Sequence, residues 1–169
     1  ERLSKTTYTA ETYAEYKKFS KSQQDQIKDV GGFVGGTLKG GRRKTEAVVW
    51  RQVLTLDADF IKGDLWSSIE TMFDYACAVY STHKHSPNSP RLRLVIPLNR
   101  PVTPDEYQAV SRRIAADFGI DFFDDTTYQP HRLMYWPSTS HDGEFFFRYQ
   151  DENWLDPDDV LARYIDWTD

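Results

Sequence analysis

Two carboxylates, Asp57 and Asp59, close the apolar run LTLDADF. Residues two apart on a strand point to the same side, with about 7 Å between their Cα atoms. Hard oxygen ligands on one rigid face are what a Mg²⁺ or Mn²⁺ ion takes. A D-x-D at a strand end serves edge solubility equally well, but two acids closing a buried strand repel each other without a counter-charge. Downstream, Ser81 and His83 offer a hydroxyl and an imidazole on one face of an expected strand, able to bind phosphate or to act as nucleophile and base. The plainer reading is a polar surface hairpin. His83-Lys84-His85 has the spacing of a two-histidine metal pair, and His131 reads as surface or turn. Asp121, Asp124 and Asp125 follow a helix end, where acids ordinarily mark a solvated turn. Only the need for a third metal carboxylate singles one of them out.

The elements that must position these residues show as patterns. AVVWRQVLTLDADF separates Val48, Trp50, Leu54, Leu56, Ala58 and Phe60 from Val49, Arg51, Val53, Thr55, Asp57 and Asp59, which predicts a strand with one apolar face. Asp64 is expected to cap a helix over LWSSIETMFDYACAVY, with Leu65, Ile69, Met72, Phe73, Ala76 and Val79 at helical spacing. YSTHKH and RLRLVIPL flank SPNSP and predict an antiparallel hairpin, with Ser81, His83 and His85 on one face of the first arm. In the second arm Arg91 and Arg93 lie opposite Leu92, Leu94 and Ile96. Thr103-Pro104-Asp105-Glu106 is a capping box whose helix buries Tyr107, Val110, Ile114 and Phe118 and stops at Gly119. Short strands are expected at IDFF, HRLMYWP and EFFFRYQ, and a last helix from Asp156 to Tyr164. At the start, Thr9 is expected to cap the helix AETYAEYKKF. The polar stretch SKSQQDQIKD follows, and then GGFVGGTLKGGRRK, whose six glycines predict a mobile or tightly turned loop without Walker spacing. Helices mixed with hairpin-connected strands predict an α+β, or mixed α/β, fold with helices against an antiparallel or mixed sheet.

The 169 residues suffice for a single domain, and 39% hydrophobic with 28% charged residues places the chain among folded, soluble proteins. No apolar run approaches membrane-spanning length and no signal peptide opens the chain, so no membrane partner is expected. The lone Cys77 excludes an internal disulfide and a cysteine-rich zinc site, and is expected buried on the apolar face of a helix, in keeping with a reducing cytoplasm. The start at Glu1 suggests a fragment excised from a longer protein, with residues 1–46 as a helical and Gly-rich segment packing on the core. A net charge of −5 argues against a broad basic nucleic-acid surface. It does not argue against an enzyme on nucleic acid, whose acidic site is completed by metals. Lys39, Arg42, Arg43 and Lys44 form a local basic segment, as do Lys84 to Arg93, whereas Arg112 and Arg113 read as solvated surface.

LTLDADF resembles the first motif of the archaeo-eukaryotic primase superfamily, a hydrophobic strand ending in D-x-D or D-x-E. Ser81-Thr82-His83 is similar to its second motif, Ser-x-His. Phe123-Asp124 is similar to its third, a hydrophobic residue followed by Asp, with Arg132 downstream. Order and spacing agree over residues 47–137. THKHSPNSPRLRLVIPLNRPV followed by QPHRLMYWPS resembles the primase-polymerase domains of phage and plasmid replication proteins, where a helicase domain often follows. The resemblance implies an RRM-like catalytic core flanked by helices, in which Asp57, Asp59 and Asp124 bind two Mg²⁺ or Mn²⁺ ions and His83, with Ser81, contacts the nucleotide. Arg93 and Arg132 are further phosphate candidates, since a guanidinium matches phosphate bidentately. Asp125 and Asp121 compete with Asp124 for the third carboxylate position. The implied activity is template-dependent nucleotidyl transfer, as primer synthesis or extension, in a bacterial host's cytoplasm. Its partners would be single-stranded DNA template and primer, nucleoside triphosphates and a helicase domain or protein. The zinc-binding element of some relatives has no counterpart here, which favours extension over priming from scratch.

Two other readings compete. A rolling-circle replication endonuclease would use His83 and His85 for its metal and a helical tyrosine as nucleophile. Lysine between the histidines and the lack of a Tyr-x-x-x-Tyr pair fit it poorly, and it leaves Asp57 and Asp59 idle. A non-catalytic nucleic-acid-binding sheet would stack Tyr135 and Trp136 on bases, although Leu133, Tyr135, Phe145 and Phe147 are more simply core.

Overall fold

The computed structural model describes residues 1–169. Its helices are α1 (Tyr13–Lys18), α2 (Lys21–Lys28), α3 (Leu65–Met72), α4 (Pro104–Phe118) and α5 (Pro157–Leu161). Its strands are β1 (Thr7–Tyr8), β2 (Gly32–Phe33), β3 (Gly36–Leu38), β4 (Val48–Ala58), β5 (Cys77–Ser81), β6 (Leu92–Val102), β7 (Met134–Tyr135), β8 (Ser138–Thr139) and β9 (Phe147–Gln150). Five of them form one antiparallel sheet in the order β3-β4-β6-β5-β9, while β1 pairs with β8 and β2 with β7. The expected α+β architecture is therefore present. No helix is long and apolar enough to cross a membrane.

The two long central strands carry the core. Leu54, Leu56 and Ala58 of β4, Leu94 and Ile96 of β6 and Val79 of β5 share one face and are wholly buried against Ile69 of α3 and Tyr107 and Val110 of α4. That face is sealed by helices, so α4 depends on its amphipathic stripe and on the expected capping box, in which Thr103 accepts from Glu106 N and Glu106 accepts from Thr103 N.

Several expectations are corrected. The helix after Asp64 ends at Met72, and Cys77–Ser81 is strand β5. A short apolar run suits a buried strand as well as a helix, and here every residue from Cys77 to Tyr80 opposes a partner on β9. Cys77 is buried as expected, but on a strand, where burial pushes its thiol up to about 12. Met72 and Phe60, assigned to apolar faces, are exposed, Met72 as the last residue of α3 and Phe60 beyond the end of β4 at Ala58. The first helix is capped by Thr12 with Glu15 rather than by Thr9, and the polar stretch is α2, capped by Ser20 with Gln23. The glycine segment is not merely a loop, since it supplies β2 and β3. At Gly36 a Cβ would stand 2.0 Å from the Trp50 carbonyl oxygen, so this close strand approach requires glycine. IDFF forms a 3₁₀ turn with only Phe123 bridging Ala58, and HRLMYWP and EFFFRYQ shrink to β7 and β9. The last helix stops at Leu161.

Beyond Arg51, the outer edge of β4 has no neighbouring strand, and side chains complete it. Tyr107 OH accepts from Thr55 N (3.3 Å), and Thr127 Oγ1 accepts from Asp57 N (2.8 Å) while donating to Thr55 O (3.0 Å). Asp124 N donates to Asp57 O (2.9 Å). Residues 123–127 thus stand in for a sheet strand, which sets Asp124 beside Asp57. Fully buried Arg51 ties in the next loop by donating to Pro130 O (2.7 Å), with its guanidinium 4.1 Å from the Tyr107 ring centroid. Thr127→Val should leave the buried Asp57 N–H without a partner and Thr55 O with only the longer bond from Tyr107 OH (3.4 Å), and cost about 1–3 kcal/mol. The measurement is urea unfolding, with a lower midpoint and an unchanged slope expected.

Candidate active site

Cross-strand register builds the site. Asp57 on β4 opposes Arg93 on β6, which opposes Tyr80 on β5. All three therefore lie on the sheet face turned away from the helical layer. Arg93 Nε donates to Asp57 Oδ1 at 2.5 Å, and Arg93 Nη1 donates to Tyr80 OH (2.8 Å) and Tyr135 O (2.9 Å). Burial works to lower the Arg93 pKa, but Asp57 and Tyr80 outweigh it and hold the guanidinium charged. Asp59, just past the strand end, stands 3.8 Å from Arg91 Nη1. Burial pushes its carboxyl up and the charge of Asp57 pushes it further, with Asp124 adding to this and Arg91 and Arg93 opposing it. Burial also works to raise Asp124, yet hydrogen bonds from Thr126 N and Oγ1, helped by Arg132 and Arg91, bring it below the usual carboxylate range.

Asp57, Asp59 and Asp124 border one cavity of about 590 Å³, a size suited to a nucleotide-sized ligand. Seven Lys and Arg side chains line it against four Asp, whereas the chain as a whole carries 21 basic and 26 acidic residues. Positive charge is therefore concentrated at this cavity. Asp121 and Asp125 are exposed and lie outside the lining, so position separates Asp124 from its neighbours.

The donor set suits a hard divalent cation in its chemistry: three carboxylates on one cavity, with Asp59 pushed up partly by the charge of the other two. The carboxylates are not drawn into a closed cage. No three His, Cys, Asp or Glu side chains gather around one point, and Asp57 Oδ1 is held by Arg93 while Asp124 Oδ1 is held by Thr126.

His83 borders the same cavity, but both ring nitrogens have protein partners. Nδ1 is 2.8 Å from Ser138 Oγ, and Nε2 is 2.7 Å from Glu11 Oε1. Thr9 and Ser140 donate to that same Glu11 oxygen, and Tyr16 packs with its ring centroid 4.3 Å from that of His83. Ser81 does not share this face. It opposes Leu92 in the sheet, points toward the core side, and its Oγ accepts from Phe146 N (2.9 Å), so its expected place at a nucleotide is corrected. His85 lies outside the cavity lining and accepts from Arg91 N, so the two histidines form no metal pair. His131 also lies outside the lining. Arg132 lines the cavity without an ion-pair partner. Arg93 lines it too, with Nε and Nη1 committed to Asp57, Tyr80 and Tyr135. Sequence reasoning missed Glu11, whose contact with His83 spans 72 residues and has no local signature. It also missed Arg91, although its shared face with Arg93 was a usable signal.

Burial pushes His83 down, only partly opposed by Glu11. Burial works to raise Glu11, but hydrogen bonds from Thr9, His83 and Ser140 leave it lowered. Both shifts have the same sign in linkage. The unfolded chain takes up protons near the ordinary values of 6.5 and 4.5, and the folded chain does so only at lower pH, so stability falls as pH drops below 6.5 and again below 4.5. Thermal unfolding between pH 7.5 and 5 should show the first decline, and His83→Gln should make it shallower. His85, also pushed down by burial, leaves a residual slope. An undiminished slope in the variant would remove His83 as a cause.

No curated protein matches the sequence. Among solved structures, the chain is similar to the AEP domain of the primase-polymerase of cyanophage S-2L, with a TM-score of 0.56 and 15% identity over 85% of this chain and 76% of that one. At that identity the likeness is one of fold. It agrees with the resemblance carried by the three motifs of the archaeo-eukaryotic primase superfamily. The model of the VapE N-terminal domain matches residues 1–169, and the chain belongs to that family.

Proposed function

We propose that this domain catalyses template-directed nucleotidyl transfer on single-stranded DNA, extending a primer with nucleoside triphosphates. The observation that carries the reading is the meeting of Asp57, Asp59 and Asp124 with a surplus of Lys and Arg on one cavity. The fold shared with an AEP domain supports it.

Asp57, Asp59 and Asp124 would hold two Mg²⁺ or Mn²⁺ ions, which supply charge stabilisation to the attacking and leaving oxygens of an in-line displacement. Arg93 keeps the Asp57 carboxylate oriented and desolvated. Arg91, Arg132 and Lys84 face the same space and neutralise a triphosphate, with the guanidinium groups adding bidentate contacts. Tyr135 presents an aromatic ring to the same cavity, suited to a base, while Trp136 is itself packed between Phe33 and Arg2. His83 acts through its bonds to Glu11 and Ser138, holding in place the turn that presents Lys84.

The test is extension of a labelled primer on a single-stranded template with Mg²⁺ or Mn²⁺. Asp57→Asn should lower the rate by at least about a hundredfold, and Arg132→Ala should raise KM for the nucleotide by about tenfold with a smaller effect on kcat. A nicked strand with a covalent 5′ adduct would establish the endonuclease reading instead, and DNA binding without turnover would establish a passive module. A separate readout needs no turnover. Either cation should raise the Tm of the parent by relieving the repulsion at Asp59, and Asp59→Asn should abolish most of that rise.

A further inference from the structure

The β3–β4 connection carries Lys39, Arg42, Arg43 and Lys44 within six residues, all of them exposed. None takes part in an ion pair, although other partly exposed cations such as Arg100 and Arg163 do. Gly40 and Gly41, at φ +69° and +67°, turn the chain, and no protein atom lies within 4 Å of where a Cβ would stand at either, so the turn itself is open to solvent. One of its cations is anchored at the site: Arg43 lines the cavity and donates to His131 O (3.4 Å). On a chain of net charge −5, four unpaired cations in one loop, one of them lining this cavity, are a local feature and not a background.

We infer that this hairpin loop grips the sugar–phosphate backbone of a single strand of nucleic acid and leads it to the cavity. An exposed loop of unpaired Lys and Arg suits phosphates spaced along a flexible strand, whereas a single compact anion would use only one or two of its charges. Arg43 joins the outer contacts to the cavity. The inference deepens the nucleotidyl-transfer reading, on which it rests for what becomes of the bound strand, but binding itself needs neither nucleotide nor metal.

The experiment is fluorescence anisotropy with a labelled single-stranded oligonucleotide of mixed sequence, without nucleotide or divalent cation, over about 20 to 200 mM salt. The variant is Lys39→Ala/Arg42→Ala/Lys44→Ala, which leaves Arg43 in place. The control, Lys5→Ala/Lys17→Ala/Lys18→Ala, removes equal charge from exposed positions elsewhere. The loop variant should bind at least about tenfold more weakly, and its slope of log affinity against log salt should be shallower by about 2, or 0.7 for each lost contact. The control should stay near the parent, and both variants should keep the parent's Tm. Equal weakening in the control, or parent-like affinity and slope in the loop variant, would overturn the inference. So would loop-dependent binding to anionic phospholipid vesicles without a loop effect on DNA. If primer extension fails while loop-dependent binding persists, the catalytic reading falls and this one stands.

Discussion

A buried carboxylate and a buried guanidinium face each other at the centre of the sheet, and the site is organised around that pair. Taking two charges out of water costs several kcal/mol for each, and their attraction offsets this only when the geometry is good and the remaining donors are used. Here Asp57 and Arg93 lie in register on adjacent strands, and Arg93 spends its next donor on Tyr80 OH and Tyr135 O. The pair therefore does more than neutralise itself. It fixes one Asp57 oxygen, and through the Tyr135 carbonyl it ties β7 to the main sheet.

The same pairing leaves an imbalance. Arg93 answers Asp57, while Asp59 and Asp124 share Arg91, and Arg132 acts on Asp124 alone. Asp59, pushed up by burial and by the charges of Asp57 and Asp124, marks the point where added positive charge is favoured. The arrangement stays folded because the carboxylates are held by different elements. β4 carries Asp57 and ends just before Asp59, and the segment bonded to its free edge carries Asp124. That edge is completed by Tyr107 and Thr127 instead of by a strand, which lets a polar segment approach a buried strand without leaving backbone groups unpaired.

One-sided packing explains where the cavity lies. Helices α3 and α4 seal the apolar face of the sheet, and the opposite face, bearing Asp57, Arg93 and Tyr80, is walled by segments from both ends of the chain. Glu11, Tyr16, Lys28 and Arg43 come from the first 43 residues of the sequence, and Arg132, Tyr135 and Ser138 from its last quarter. Residues 1–46 are thus part of the site's walls, and the polar, Gly-rich character of that stretch follows from covering a charged face instead of an apolar one.

The features legible in the sequence were those written locally. Alternation marked β4, a capping box marked α4, and the two prolines of SPNSP marked the turn between β5 and β6. The carboxylates Asp57 and Asp59 followed from their place at the end of an apolar run. Other features depended on register and on distant partners. Cys77–Ser81 became a strand because β6 and β9 supplied its backbone bonds, and Ser81 turned from the cavity because its cross-strand partner is Leu92. Asp124 borders the cavity where Asp121 and Asp125 do not, its backbone bonded to Asp57, and His83 found Glu11 across the fold. The amino-acid sequence by itself determined which residue types end the central strand and which segments alternate or cap, since these are properties of neighbours in the chain. The tertiary structure alone decided which side chains meet, because one residue of register reverses a strand's faces and no local pattern encodes a partner 72 residues away.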